Sequence, residues 1–150
     1  QTRKGQQWYF GMKLHIGVDS QTGLVHSART TAANEHDKHS IPDLLHGDER
    51  RVYGDSAYHS QKALIASKAP HAQDFTNERT RWKGWVDEEA KRKNKTKSKV
   101  RAKVEHVFAV VKRLWGFTKV RYRGLEKSTT RAFVALALAN LYLTRPRTAV

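Results

Sequence analysis

Two acidic residues stand where a carboxylate can do more than solvate a surface. Asp55 follows the apolar Val52-Tyr53 pair and Gly54 at what reads as the C-terminal end of a short strand, the place from which open sheets project side chains into a ligand crevice. Glu105 is the sole acid between Glu89 and Glu126, set in a strongly basic stretch beside the apolar Val104 and Phe108. Hard divalent cations prefer carboxylate oxygens. Two such ions held about 4 Å apart activate an attacking oxygen and stabilise a leaving one in phosphodiester chemistry. Two carboxylates are few for that task, and by pattern alone Asp19, after the HIGV run, is the best third. Each acid also has a structural role open to it. Asp55 can cap the helix that follows, Asp19 belongs to an ordinary turn sequence (DSQTG), and Glu105 can pair with Arg101 one helical turn away, worth roughly a few tenths of a kcal/mol when exposed.

Other chemistries find less support. His36, Asp37, His39 and His46 have a spacing open to metal binding, but there is no HExxH arrangement and no cysteine, so solvated or hydrogen-bonded histidines are the better reading than zinc. The absence of cysteine also excludes disulfides and thiolate catalysis. Ser56 does not sit in a GxSxG elbow, and the glycines form no phosphate loop. Trp8, Trp82, Trp85 and Trp115 can stack on bases, although Trp115 lies in an apolar helical stripe and reads as core.

The elements that must position these residues follow from pattern. Trp8 to Val18 and Leu24 to Thr31 read as two strands of a hairpin joined by the 19–23 turn, with Gly11 and Gly17 marking bulges or close packing. His36 to Leu45 reads as a short helix despite Pro42. Arg51 to Tyr58 reads as a short buried strand entering a turn, and Ser60 to Lys68 as a helix closed by Pro70. Residues 71–99 are polar and read as an irregular, mobile insertion, with Trp82 and Trp85 as docking points and a short helix near Val86 to Lys91. Val100, Val104, Val107, Phe108, Val111, Leu114 and Trp115 recur at spacings of three and four, a helix with one buried stripe that Gly116 ends. A last helix from Thr130 to Leu143, capped by Ser128 or Thr129, is rich in Ala and Leu. The order indicates α/β or α+β layers in one domain over 1–150, with only three strands evident where a sheet domain usually has more.

The 150 residues carry 29 Lys+Arg against 14 Asp+Glu, a formal charge of +15. Residues 1–90 are balanced at 12 basic and 12 acidic, so the whole excess lies in the last 60 residues, and Lys91 to Lys103 (KRKNKTKSKVRAK) holds eight cations. Because this run leads directly into an apolar periodic segment, it reads as a surface fixed beside folded structure and not as a free tail. A phosphate backbone rewards such an arrangement through counterion release. A membrane surface fits less well, since the run lacks aromatic anchors, and no apolar stretch is long enough to span a bilayer. The sequence therefore reads as a soluble, unexported protein.

The motifs have a resemblance. WYFGMKLHIGVDSQTGLVH from Trp8, TAANEHD from Thr31, VYGDSAY from Val52, NKTKSKVRAKVEHVFAVVKRLWGF from Asn94 and KVRYRGL from Lys119 closely resemble bacterial insertion-sequence transposases of the IS5 family, over nearly the whole chain. The resemblance implies a DDE recombinase with an RNase H-like mixed sheet and flanking helices, binding two Mg2+ ions, with Mn2+ as a substitute, for DNA cleavage and joining. Carried over by motif, Asp55 is the second catalytic acid and Glu105 the last, both metal ligands. Arg101 and Lys112 match the basic residues flanking that glutamate. With Lys103, Lys95, Lys97 and Lys99 they are the expected DNA contacts.

Two departures follow from the same comparison. A tyrosine sometimes found three before that arginine is Ser98 here. The family's first aspartate lies upstream of the KGQQWYFG region, so the chain is expected to be a C-terminal part of the catalytic domain without its first strand, inactive alone. Asp19 matches a turn aspartate, not a ligand, while His36 and Asp37 match a segment of near-site or structural role. The expected partners are double-stranded DNA at element ends and target, and a second copy of the chain, in the bacterial cytoplasm at the nucleoid. The expected reaction is hydrolysis at an element end followed by attack of the freed 3′ hydroxyl on target DNA. The alternative is a noncatalytic DNA-binding or structural remnant of a transposase.

Overall fold

In the computed structural model, residues 2–9, 11–82 and 85–145 are described, and they divide into two compact units, 1–35 with 104–150 and 36–103. The fold is mixed α/β. Among the described residues its strands form four separate two-stranded sheets, three antiparallel and one parallel.

In the first unit, β1 (Thr2–Lys4) pairs with β2 (Gln7–Tyr9), and β3 (Met12–Val18) pairs antiparallel with β4 (Val25–Ala32). The run expected as one strand from Trp8 is thus divided between two hairpins, with a bend at Gly11 between them. The 19–23 turn is as the sequence indicates. Asp19 Oδ1 accepts from the Gln21 and Thr22 N–H groups and the Thr22 hydroxyl, and Gly23 takes a positive φ of 77° that suits a residue without Cβ. The register shifts between Gly17 and Val18. A Cβ on Gly17 would collide with Ser27 Oγ and the His26 ring, so the bulge and the close approach read from this glycine coincide.

Leu14, Ile16 and Val18 share one face of β3, as a period of two requires. They pack with Val25 and Ala28 against Val107, Val110 and Val111 of one helix and Ala135, Leu136 and Ala139 of another. The second helix, α4 (Leu125–Thr144; α1–α3 follow below), lies on β4. Its alanines allow close approach to the sheet. Asn140 completes the junction: its Oδ1 accepts the Val25 N–H at 2.9 Å and its Nδ2 donates to the Val25 C=O at 2.8 Å, replacing a strand partner at the irregular end of the ladder. α4 begins five residues before the expected Thr130. Ser128 and Thr129 lie inside it, returning their hydroxyls to the carbonyls of Gly124 and Leu125, so neither is the cap.

In the second unit, a 3-10 turn (Asp37–Ser40) leads into α1 (Ile41–Leu44), the segment expected as one short helix. β5 (Arg51–Val52) runs parallel to β6 (Gln73–Asp74). Their pairing is prolonged by alternate bonds from Gln73 N to Arg50 O, Phe75 N to Val52 O and Asn77 N to Gly54 O. A 3-10 turn (Ser56–Gln61) passes into α2 (Lys62–Lys68), and β7 (Arg81–Trp82) pairs with β8 (Trp85–Val86). α3 runs 28 residues, Glu88–Trp115. It therefore joins the short helix expected near Val86 to Lys91 to the one expected from Val100, taking in the intervening residues, with Asp87 Oδ1 accepting the Ala90 N–H as a cap. α3 supplies residues 88–103 to the second unit and 104–115 to the first.

Candidate functional site

Asp55 sits three residues beyond β5, where the extended pairing of Gly54 with Asn77 gives way to the 3-10 turn. Its Oδ1 accepts the Ser56 N–H at 2.6 Å, so the capping role open to it from sequence is realised. That role does not exhaust the carboxylate, which is 57% exposed and has the Arg101 Nη1 at 3.7 Å. Gly54 is closely packed, since an added Cβ would stand 3.1 Å from both Thr76 Cγ2 and Tyr58 Cδ2 and those side chains would have to give by a few tenths of an ångström. The Tyr58 ring thus lies over the backbone immediately before Asp55. Burial first, and then the carboxylates of Asp37 and Asp55, push the Tyr58 phenol above its ordinary range, with Arg101 opposing. The phenol remains an O–H donor at neutral pH in a field of two acids. Asp37 reaches this neighbourhood because the two 3-10 turns pack on each other; no spacing rule joins residues 37, 55, 58 and 101.

Arg101 is delivered by a polar row on α3 that binds the 76–78 segment. Asn94 brackets the Glu78 backbone, accepting from its N–H at 3.0 Å and donating to its C=O at 2.8 Å. Lys97 Nζ donates to Thr76 O at 3.0 Å, and Asn77 Nδ2 donates to Ser98 Oγ. Of the cations expected to contact DNA, Lys97 is thus engaged by its own chain, with its side chain 16% exposed. Lys95, Lys99 and Lys112 are exposed, while Arg101 and Lys103 are half-buried.

Glu105 belongs to the first unit and is exposed. It lines a cleft of about 320 Å³ together with Lys112, Lys13, Lys119, Arg121 and Arg131, over a floor that includes Phe108, Phe117 and Tyr122. Arg131 is fixed there by a bond to Lys119 O at 2.9 Å and by its guanidinium 4.9 Å above the Phe117 ring. One carboxylate among five cations makes a strongly electropositive wall with an aromatic floor, a setting for phosphate oxygens. Lys13, Arg121 and Arg131 come from three distant segments, so the local charge count that picked out 91–103 passes them by.

The remaining candidates are placed as follows. Asp19 is committed to its turn, whose N–H and hydroxyl donors, those of Thr22 first, hold its carboxyl below the usual range. His36 caps the first 3-10 turn through Nδ1 and stacks edge-on with His39 at 6.4 Å. Among the described residues no group of three or more His, Cys, Asp and Glu is assembled for a metal. Trp115 packs edge-on against Tyr142 at the border of the core, as its place in the stripe implies. Trp85, expected to dock, is 66% exposed, and the Trp82 side chain lies outside the described residues. Among the described residues no helix is long and apolar enough to cross a membrane.

The family model described as "Transposase DDE domain" matches residues 1–141. No solved structure matches the chain.

Proposed function

This chain belongs to the transposase DDE domain family, and we propose that it contributes two of the catalytic acids to an enzyme that performs phosphodiester cleavage and strand transfer at the ends of an insertion sequence of the IS5 type, on an RNase H-like core. The family's domains act on DNA and use divalent metal ions. The observation that carries the residue assignment is the setting of the two acids. Asp55 is exposed with an arginine 3.7 Å away, and Glu105 lines a cleft rimmed by cations.

The donor chemistry of these acids fits a hard divalent ion such as Mg2+, which when bound polarises a phosphodiester and lowers the pKa of its water. Asp55 and Glu105 are the residues that would hold such ions. The rest of the work falls to the chain's own side chains. Arg101 holds phosphate oxygens beside Asp55 and Lys112 holds them beside Glu105, Lys103 is a further phosphate contact on α3, and Lys13, Lys119 and Arg121 neutralise the strand along the cleft.

The test is a calorimetric Mn2+ titration of the wild-type chain, Asp55→Asn and Glu105→Gln, paired with binding of a short duplex. Each substitution should weaken Mn2+ at least tenfold while the duplex still binds. Unchanged Mn2+ affinity in both variants removes the acids from the proposal. Loss of the duplex from the wild type itself removes DNA.

A further inference from the structure

The cleft beside Glu105 offers more than a phosphate backbone uses. Two of its five cations are already held by the chain: Lys13 Nζ donates to Glu35 O at 2.8 Å and Arg131 to Lys119 O at 2.9 Å. The side chains of Lys112, Lys119 and Arg121 are exposed and make no hydrogen bond or ion pair among the described residues, and the same holds for Glu105. Three uncommitted cations and one uncommitted carboxylate thus rim a floor that includes Phe108, Phe117 and Tyr122.

A duplex meets these cations with its phosphates, but its bases stay stacked and paired, and their faces do not reach an aromatic floor. Inorganic phosphate leaves the rings uncovered altogether. The cleft volume, about 320 Å³, falls within the range of small-molecule sites, about 300–1,000 Å³. A ligand that suits cations, rings and size together joins a planar base to a short run of phosphates. The lone carboxylate repels phosphate but accepts from a ribose hydroxyl or a base amino group, which such a ligand also carries. Tyr122 is the ring open to a base: it is 50% exposed, whereas the Arg131 guanidinium already lies 4.9 Å over Phe117.

We propose that this cleft binds a free nucleoside triphosphate, with its base on Tyr122 and its phosphates on Lys112, Lys119 and Arg121. A nucleotide bound there covers Glu105 and Lys112 and so withholds both from DNA. That regulatory consequence rests on the DNA reading above; the nucleotide site itself stands on the cleft alone.

The experiment is calorimetry of the 150-residue chain in EDTA at constant ionic strength, with ATP as probe and tripolyphosphate and adenosine as its two halves. Wild type should bind ATP at least about tenfold more tightly than either half, as one stacked base and a set of charge-assisted bonds allow. Tyr122→Leu should weaken ATP about tenfold and leave tripolyphosphate unchanged, whereas Lys119→Gln/Arg121→Gln should weaken both. These changes spare the fold's own bonds, since Lys119 and Tyr122 give only their carbonyls to Arg131 and Ser128. Lys62→Gln/Lys68→Gln, which removes the same charge from exposed positions of α2, should change neither affinity. Tripolyphosphate binding as tight as that of ATP, or equal losses in the α2 and cleft variants, overturns the site and leaves only the affinity of a +15 chain for anions. Tighter binding of a short single strand than of ATP, lost in Tyr122→Leu, assigns the cleft to a strand end and overturns the free nucleotide. ATP should displace a dye-labelled short duplex at about one tenth of the tripolyphosphate concentration; equal concentrations overturn the regulatory consequence. Failure of the wild type to bind any duplex overturns the DNA reading and leaves the ATP result standing.

Discussion

The Arg101 guanidinium stands 3.7 Å from the same Asp55 oxygen that accepts the Ser56 N–H. One oxygen is thereby fixed in direction by the backbone and shared with a cation that α3 brings from 46 residues away. With Asp55 more than half exposed, the pair contributes at most about 1 kcal/mol to stability. Under the proposed function, its consequence lies in how the carboxylate and the guanidinium would meet a divalent ion or a phosphate.

Replacing Arg101 by Gln should therefore have opposite effects on two ligands. Removing a cation beside Asp55 raises Mn2+ affinity several-fold, because the ion no longer meets a like charge. The same change weakens duplex binding and makes its salt slope shallower by about one. Calorimetry with Mn2+ and a salt series with a short duplex measure the two; movement of both affinities in the same direction counts against the shared role.

Gly54→Ala should destabilise the chain by about 1–3 kcal/mol, the usual range for overpacking. The added methyl meets Thr76 and the Tyr58 ring, so Tyr58 must move with the Asp55 turn. Urea denaturation gives the stability change. Displaced Ser56 and Tyr58 amide resonances report the local shift, and an unperturbed spectrum argues against close packing here.

Asn140→Leu should cost about 2 kcal/mol although its size is nearly kept. The Val25 N–H and C=O would lose their partners, and an unsatisfied backbone group costs about 1–3 kcal/mol. The loss should appear in denaturant melts together with faster amide exchange at Val25. Stability equal to wild type would show that water replaces the side chain freely.

The Asp19 carboxyl is held below its ordinary range by the donors of its turn. A depressed acid stabilises the fold at pH values above its unfolded pKa, and that contribution fades as pH falls through the folded value. Wild type should therefore be more stable than Asp19→Asn at pH 7, with the difference narrowing below about pH 4. A difference independent of pH would mean that the charge of Asp19 plays no part.

How far the sequence reveals this arrangement depends on which residues do the packing. Val104 to Trp115 is legible as a helix because it buries an apolar stripe. The turns from Arg92 to Lys99 are not, because they dock through Asn94, Lys97 and Ser98, whose bonds to residues 76–78 leave no hydrophobic period. For the same reason a lysine counted as a DNA contact is occupied within the fold. α4 begins early because Ser128 and Thr129 bond back to the preceding turn instead of capping it. Asp55 is legible both as a cap and as a candidate acid; the cap is realised, and the carboxylate stays more than half exposed. The cleft beside Glu105 is partly legible: KVRYRGL marks its connector, but Lys13 and Arg131 join it only through tertiary packing.

The assignment of Asp55 and Glu105 as ligands of divalent ions is tested most directly by Mn2+-induced broadening of amide resonances in the wild-type chain, followed at Ser56 and His106, the neighbours of the two acids. Both amides should broaden, and Asp55→Asn should abolish the effect at Ser56 and Glu105→Gln the effect at His106. Broadening at neither neighbour, or broadening that survives the substitution beside it, would contradict the assignment.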